Sequence, residues 1–199
     1  MLLNHFELLL LKSNLRRMIH HHFDFRLWRQ MNSGAQLSGK ALEVGCGRGF
    51  GLEVLARSPY KFESLVGVEP DPRMSLLAKK TVAAWPHVQI LEGSLSQTIA
   101  QTDLYDFALC SQVLHHIDDW QEAIKEVSCR VKQGGTLFLV ESLRGFIQAP
   151  FIRNIMKHPE ANRFDKQELL KELSICGFEN IRYKSFGDAF VWVVAQKAS

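Results

Sequence analysis

Residues 41–51 read Ala41-Leu42-Glu43-Val44-Gly45-Cys46-Gly47-Arg48-Gly49-Phe50-Gly51, an apolar run that breaks into spaced glycines. A short apolar run bounded by turn residues suits a strand buried on both faces of a parallel sheet. Glycines at 45, 47 and 49 let the backbone turn sharply and approach a ligand without side chains intervening. The amphipathic stretch 50–57 then reads as a helix. Such a strand-to-helix turn is where open α/β sheets bind ligands. The dinucleotide fingerprint G-x-G-x-x-G would need glycine at 50, where Phe50 stands. Glu43 would also set a carboxylate beside a pyrophosphate, and it suits a cationic amine better.

Outward from this turn, strand-like runs at 64–68, 88–91, 107–110 and 136–140 alternate with helical stretches at 72–85 and 119–131. Asp71-Pro72 supplies an N-cap with proline at the first helical position. Lys132-Gln133-Gly134-Gly135 is expected to stop a helix and turn into a strand. After 140 the rhythm loosens, and 142–164 reads as an inserted segment. Asp165 and Glu168 form a capping box for a helix reaching about 176. Two last strands at 179–183 and 190–195, turning near Gly187-Asp188, form an antiparallel pair. The expectation is one α/β domain over 36–199: a doubly wound, mostly parallel, seven-stranded sheet with an antiparallel C-terminal strand. Residues 1–35 form an N-terminal helical extension. Within it Leu8, Leu11, Leu15, Met18, Ile19 and His22 share one face, with Lys12 and Arg16 on another.

At 199 residues, with 46% hydrophobic and 23% charged, the chain has ordinary globular composition for one domain. The net charge of +3 is concentrated in residues 1–40, so no broad nucleic-acid-binding face is expected. Cys46, Cys110, Cys129 and Cys176 lack C-x-x-C spacing, and neither a zinc site nor a disulfide framework is indicated. The apolar start is interrupted by Asn4, His5 and Glu7 and is too short to span a bilayer. A cytoplasmic chain is the simplest expectation.

Glu43-x-Gly45-x-Gly47-x-Gly49 resembles motif I of the class I S-adenosylmethionine (SAM)-dependent methyltransferases. The resemblance continues in order to the C-terminus. Gly67-Val68-Glu69-Pro70-Asp71 resembles the second-strand motif whose acid holds the ribose hydroxyls. Tyr105-Asp106-Phe107 into Val113-Leu114-His115-His116 resembles the fourth-strand motif of small-molecule and quinone-type members. Lys132 to Leu137 resembles the turn before the fifth strand, with Gln133 in place of proline. The resemblance implies a Rossmann-like sheet, SAM as cofactor, and a cofactor site at Glu43, Gly45, Cys46, Gly47, Gly49, Glu69, Pro70, Ser94, Leu95 and Ser111. Ser94 stands where the family often has an acid beside the adenine.

Glu69, at the end of the second strand and 20 residues after Gly49, points to ribose on position alone. His115 and His116 are weak candidates for a general base, with loop packing the competing reading; as adjacent residues they are not expected to share a metal. Glu141, at the end of the fifth strand, is expected to face the substrate side as base, anchor or plain carboxylate. The stretch Cys110-Ser111-Gln112-Val113 lacks the (N/D/S)-P-P-(Y/F) turn of amine-directed relatives. Neither a Pro-Cys nucleophile nor a catalytic lysine ending the fourth strand occurs. A small-molecule or lipid-like acceptor is therefore expected, with peripheral membrane contact through the basic N-terminal helix. A non-catalytic SAM-binding subunit and a nicotinamide oxidoreductase are the alternatives.

Overall fold

The computed structural model describes residues 23–148 and 162–199. Most of the expected N-terminal helix, residues 6–22, and part of the inserted segment lie outside the described residues. Helix α1 (Phe25–Met31) precedes β1 (Ser38–Val44), α2 (Phe50–Arg57), β2 (Lys61–Glu69), α3 (Pro72–Val82) and β3 (Val88–Glu92). Then come α4 (Leu95–Thr98), β4 (Tyr105–Ser111), a 3-10 turn (Leu114–His116), α5 (Trp120–Ser128) and β5 (Val131–Ser142). The chain closes with α6 (Arg144–Ile147), α7 (Lys166–Ile175), β6 (Phe178–Phe186) and β7 (Phe190–Lys197). One seven-stranded sheet has the order β3-β2-β1-β4-β5-β7-β6. Strands β1 to β5 pair in parallel, while β7 pairs antiparallel with both β5 and β6. The order reverses between β1 and β4, which opens a crevice at their carboxyl ends.

Strand alternation splits the core in two. Leu42, Ala108, Leu137, Leu139, Val191 and Val193 pack with α5 and α7 on one face. Ala41, Leu65, Phe107, Leu109, Phe138 and Val140 pack with α1, α2 and α3 on the other. Both β4 and β5 are buried along nearly all their length, which explains why they read as unbroken apolar runs.

The caps at Asp71 and Asp165 form as expected: Asp71 accepts from the Arg73 N–H, and Asp165 and Glu168 close a capping box. The glycine pair does not do what was expected. Helix α5 ends at Ser128, and Gly134-Gly135 lie inside β5, where the pairing with β4 shifts register. Gly134 sits at φ 74°, and a Cβ on Gly135 would come within 2.8 Å of the Lys132 carbonyl oxygen. The pair thus builds a bulge rather than a helix stop.

Helix α1 is held by two indoles. Trp28 stacks on Phe138 with ring centroids 5.6 Å apart and donates from Nε1 to the Leu139 carbonyl at 3.1 Å. Trp192 donates from Nε1 to the Asp24 carboxylate at 2.7 Å. A helix this short is marginal alone, so its stability comes from this docking.

Candidate active site

Three side chains at strand ends share the face covered by α2: Glu43 on β1, Glu69 on β2 and Ser111 on β4. Each alternates in register with residues of the core on that face. The glycine loop between β1 and α2 lies over them. Its glycines have different tasks. A Cβ on Gly45 would stand 2.6 Å from Val113 Cγ2, one on Gly49 3.3 Å from Ala78, and one on Gly51 2.1 Å from Glu43 Oε1. Those three allow elements to approach one another. A Cβ on Gly47 would meet nothing nearer than Met74 Cε at 4.0 Å among the described residues, although φ there is 54°. Among the described residues Gly47 therefore borders open space, where a ligand's approach, and not internal packing, gives the missing side chain a use.

Glu69 turns its carboxylate into this loop. Oε2 accepts the Gly47 N–H at 2.8 Å and Oε1 the Asp71 N–H at 2.9 Å. Burial raises its pKa, and these two backbone donors oppose the rise. Each oxygen keeps a further lone pair for a hydroxyl donor. Cys46 lies the other way: its N–H is spent on the Val68 carbonyl, and its sulfur packs where a Gly67 side chain would stand. Burial, then the charges of Glu43 and Glu69, push its thiol well up, so it is an inert packing group. Glu43 is also buried, at 2% exposure, beneath the first turn of α2. It offers the site its charge more than its surface. Ser94 caps α4, its N–H donating to Gln97 Oε1 at 3.0 Å, while Leu95 is buried and Pro70 is exposed at the rim.

Glu141 does not face the acceptor side as expected. It is 0% exposed and lies on the α5 and α7 face of β5. Oε1 accepts the N–H groups of Val113 and Leu114, both at 2.8 Å, and Oε2 lies 2.7 Å from His115 Nδ1. Burial raises its pKa to about 7, against the pull of those backbone donors and of His116. The two histidine rings lie side by side at 4.1 Å, despite being sequence neighbours, because the 3-10 turn swings them together. Arg163 donates to the His115 carbonyl, and the Arg163 carbonyl in turn accepts from Arg144 Nε at 3.0 Å. This cluster clamps the loop after β4 from behind.

The opposite side of that loop was not singled out from the sequence. Gln112 has φ 59°, its N–H donates to the Val140 carbonyl at 2.8 Å, and its Oε1 accepts the Ser142 hydroxyl at 2.5 Å. Residue type carries no signal for this, since a left-handed backbone is usually announced by glycine or asparagine. Across from Ser142 on β7 stands Phe190, which opens an apolar groove of about 320 Å³ lined by Phe23, Leu27, Lys184, Phe186, Phe190 and Trp192. At about 4.8 Å per strand, the groove starts roughly 10 Å from Gln112 along the carboxyl edge of the sheet.

The open cradle at Gly47 and the spare lone pairs of Glu69 fit the nucleoside of SAM. A family model described as a methyltransferase domain matches residues 42–139. The ubiquinone/menaquinone biosynthesis C-methyltransferase UbiE of Campylobacter jejuni is 25% identical over 175 residues, 74% of this chain and 73% of that protein. Among solved structures, a complex of a methyltransferase with the Haloferax volcanii Trm112 methyltransferase activator superposes with a TM-score of 0.74 at 13% identity, covering 95% of this chain and 93% of that one. The N-methyltransferase NodS of Bradyrhizobium japonicum, with S-adenosyl-L-homocysteine bound, gives 0.69 at 15% identity, covering 98% and 94%. The order of the strands, the glycine loop with its facing acid and the matched residues agree: residues 42–139 are a methyltransferase domain, and the chain has the fold of the class I SAM-dependent methyltransferases.

Proposed function

We propose that the chain methylates a quinone-like ring bearing an apolar tail. The observation that carries this reading is the aromatic groove, which opens on the same sheet face as Ser142 and Gln112. A hydrophilic acceptor would gain nothing from Phe186, Phe190 and Trp192, whereas an isoprenoid or acyl chain would be desolvated there. The Campylobacter relative, named for ubiquinone and menaquinone biosynthesis, supports the same acceptor class.

In this reading Glu69 accepts from the ribose hydroxyls and Gly47 lets the backbone come against the cofactor, while Gly45 and Gly49 let the flanking elements pack closely around it. Ser94, Leu95 and Pro70 border the adenine, and Ser111 borders the reacting end. SAM supplies an electrophilic methyl group on its sulfonium. The chain's own share is positioning and exclusion of water, and near-attack placement alone is worth at most about 7–11 kcal/mol. Glu141, His115 and Arg163 hold the loop rather than exchange protons with the acceptor. The basic, apolar-striped N-terminal segment, most of which lies outside the described residues, serves to meet an anionic membrane surface from which such an acceptor is drawn.

The test is transfer from labelled SAM to a panel holding a reduced short-chain demethylnaphthoquinone, a catechol, and primary and secondary amines. Product from the naphthoquinol, with turnover rising as its alkyl tail lengthens, is the expected result. Methylation of the amines alone would overturn the reading.

A further inference from the structure

Four non-glycine residues among the described ones have positive φ: Ser33, Gln112, Asn162 and Asn180. Ser33, Asn162 and Asn180 are short polar residues at exposed positions, where the left-handed region is most readily tolerated. Gln112 differs on each count: it is long, half-buried, and directly follows β4, the strand paired with β1, which leads into the glycine loop. Such a backbone persists only where its surroundings over-determine it, and it clusters at functional sites. Here the restraints are visible. The Val140 carbonyl holds its N–H, Ser142 holds its side-chain oxygen, and the next residue, Val113, fills the space above Gly45.

A turn that merely needed a left-handed residue would be met by glycine, without strain and without the bond to Ser142. That bond fixes only one end of the amide. The Nε2 group donates to nothing among the described residues, and Ser142 belongs to the sheet face on which the aromatic groove opens. We propose that Gln112 is an acceptor-contact residue, whose strained backbone and Ser142-anchored oxygen aim the amide N–H groups at an oxygen on the methyl acceptor. Methyl transfer is an in-line displacement, so one directed hydrogen bond that stops the acceptor rotating keeps its nucleophilic atom on that line. The proposal rests on methyl transfer at this site, and not on the quinone assignment.

Gln112→Glu keeps the side chain's length and the bond from Ser142 but replaces the donor by an oxygen that repels the acceptor's oxygen. Gln112→Gly removes the side chain and relieves the backbone. With labelled SAM and the naphthoquinol probe, both variants should lose at least about tenfold in kcat/KM for the acceptor, the scale of one directed hydrogen bond. Calorimetric affinity for SAM should stay within about twofold of wild type, the margin of an untouched cofactor site. The glycine variant should melt no lower than wild type. If wild type methylates the catechol instead, that acceptor replaces the naphthoquinol, and transfer to the amines alone overturns the proposal. A wrong ring assignment then shows in the wild type, and a wrong role for Gln112 shows in the variants. Unchanged acceptor kcat/KM in Gln112→Glu, or a loss of SAM affinity matching the loss of turnover, overturns the proposal, and this variant decides alone if the glycine variant does not fold.

Discussion

The glycines of one loop are not equivalent, and Gly45 and Gly47 separate the reasons. Both have positive φ, at 63° and 54°, so an alanine at either is strained by about 1–2 kcal/mol. At Gly45 the new methyl also collides with Val113, whereas at Gly47 it meets only Met74 Cε at 4.0 Å. Gly45→Ala should therefore lower the melting temperature clearly more than Gly47→Ala, while Gly47→Ala should weaken SAM binding out of proportion to its stability. Differential scanning and titration calorimetry check both. For Glu69, substitution by alanine removes an acceptor for two ribose hydroxyls, each bond worth about 1.5–3 kcal/mol before water compensates. A rise of at least about tenfold in the Kd for SAM is expected. Normal affinity in a normally folded Glu69→Ala protein would remove the ribose assignment.

Among elements, the loop after β4 shows how the sheet positions chemistry without joining in it. Glu141 reaches from β5 under the loop and holds Val113, Leu114 and His115 at once. Its pKa is raised by burial from 4.5 to about 7, so the folded state binds the proton more tightly than the unfolded chain does. Stability from this group is then full below about pH 4.5 and is lost as pH rises towards about 7. The full loss is on the order of 3 kcal/mol, at about 1.4 kcal/mol per unit. Glu141→Gln keeps an acceptor for the two backbone donors and has no charge to bury. Its melting temperature relative to wild type should climb as pH rises through that window. A difference that stays flat from pH 4.5 to 7.5 would show that the carboxylate does not titrate there.

At the scale of the molecule, α1 decides where the N-terminal region can be divided. The unit expected to end at residue 35 includes Trp28, which is 2% exposed, stacks on Phe138 and bonds β5. Deleting residues 1–30 removes this anchor, and loss of a buried tryptophan costs about 3–5 kcal/mol. Deleting residues 1–22 spares it. The shorter truncation should keep a normal melting temperature and SAM affinity while losing methyl transfer and sedimentation with anionic vesicles at low salt. Full activity in that truncation would remove the segment's part in methyl transfer, and full-length protein left in the supernatant would remove the membrane contact.

Adjacent positions in the sequence were enough for the strand–helix alternation, the glycine loop, the caps at Asp71 and Asp165, and the acid at 69. Each of these rests on interactions within a few residues: a buried strand is continuously apolar, a cap sits next to its helix, and a sharp turn needs glycine on the spot. The orientation of Glu141, the bulge at Gly134-Gly135, and the linked pair Gln112 and Ser142 were decided by the tertiary structure. All of these depend on which strand lies beside which. Glu141 reads as a strand-end carboxylate until β5 is set beside β4, where its alternation turns it inward to His115. Gln112 reads as an ordinary polar residue until Ser142, thirty positions later, is brought within hydrogen-bonding distance of its amide oxygen. Local sequence specifies elements because their hydrogen bonds and burial patterns are local. Side-chain direction at strand ends depends on register between strands distant in sequence, and only the folded sheet supplies it.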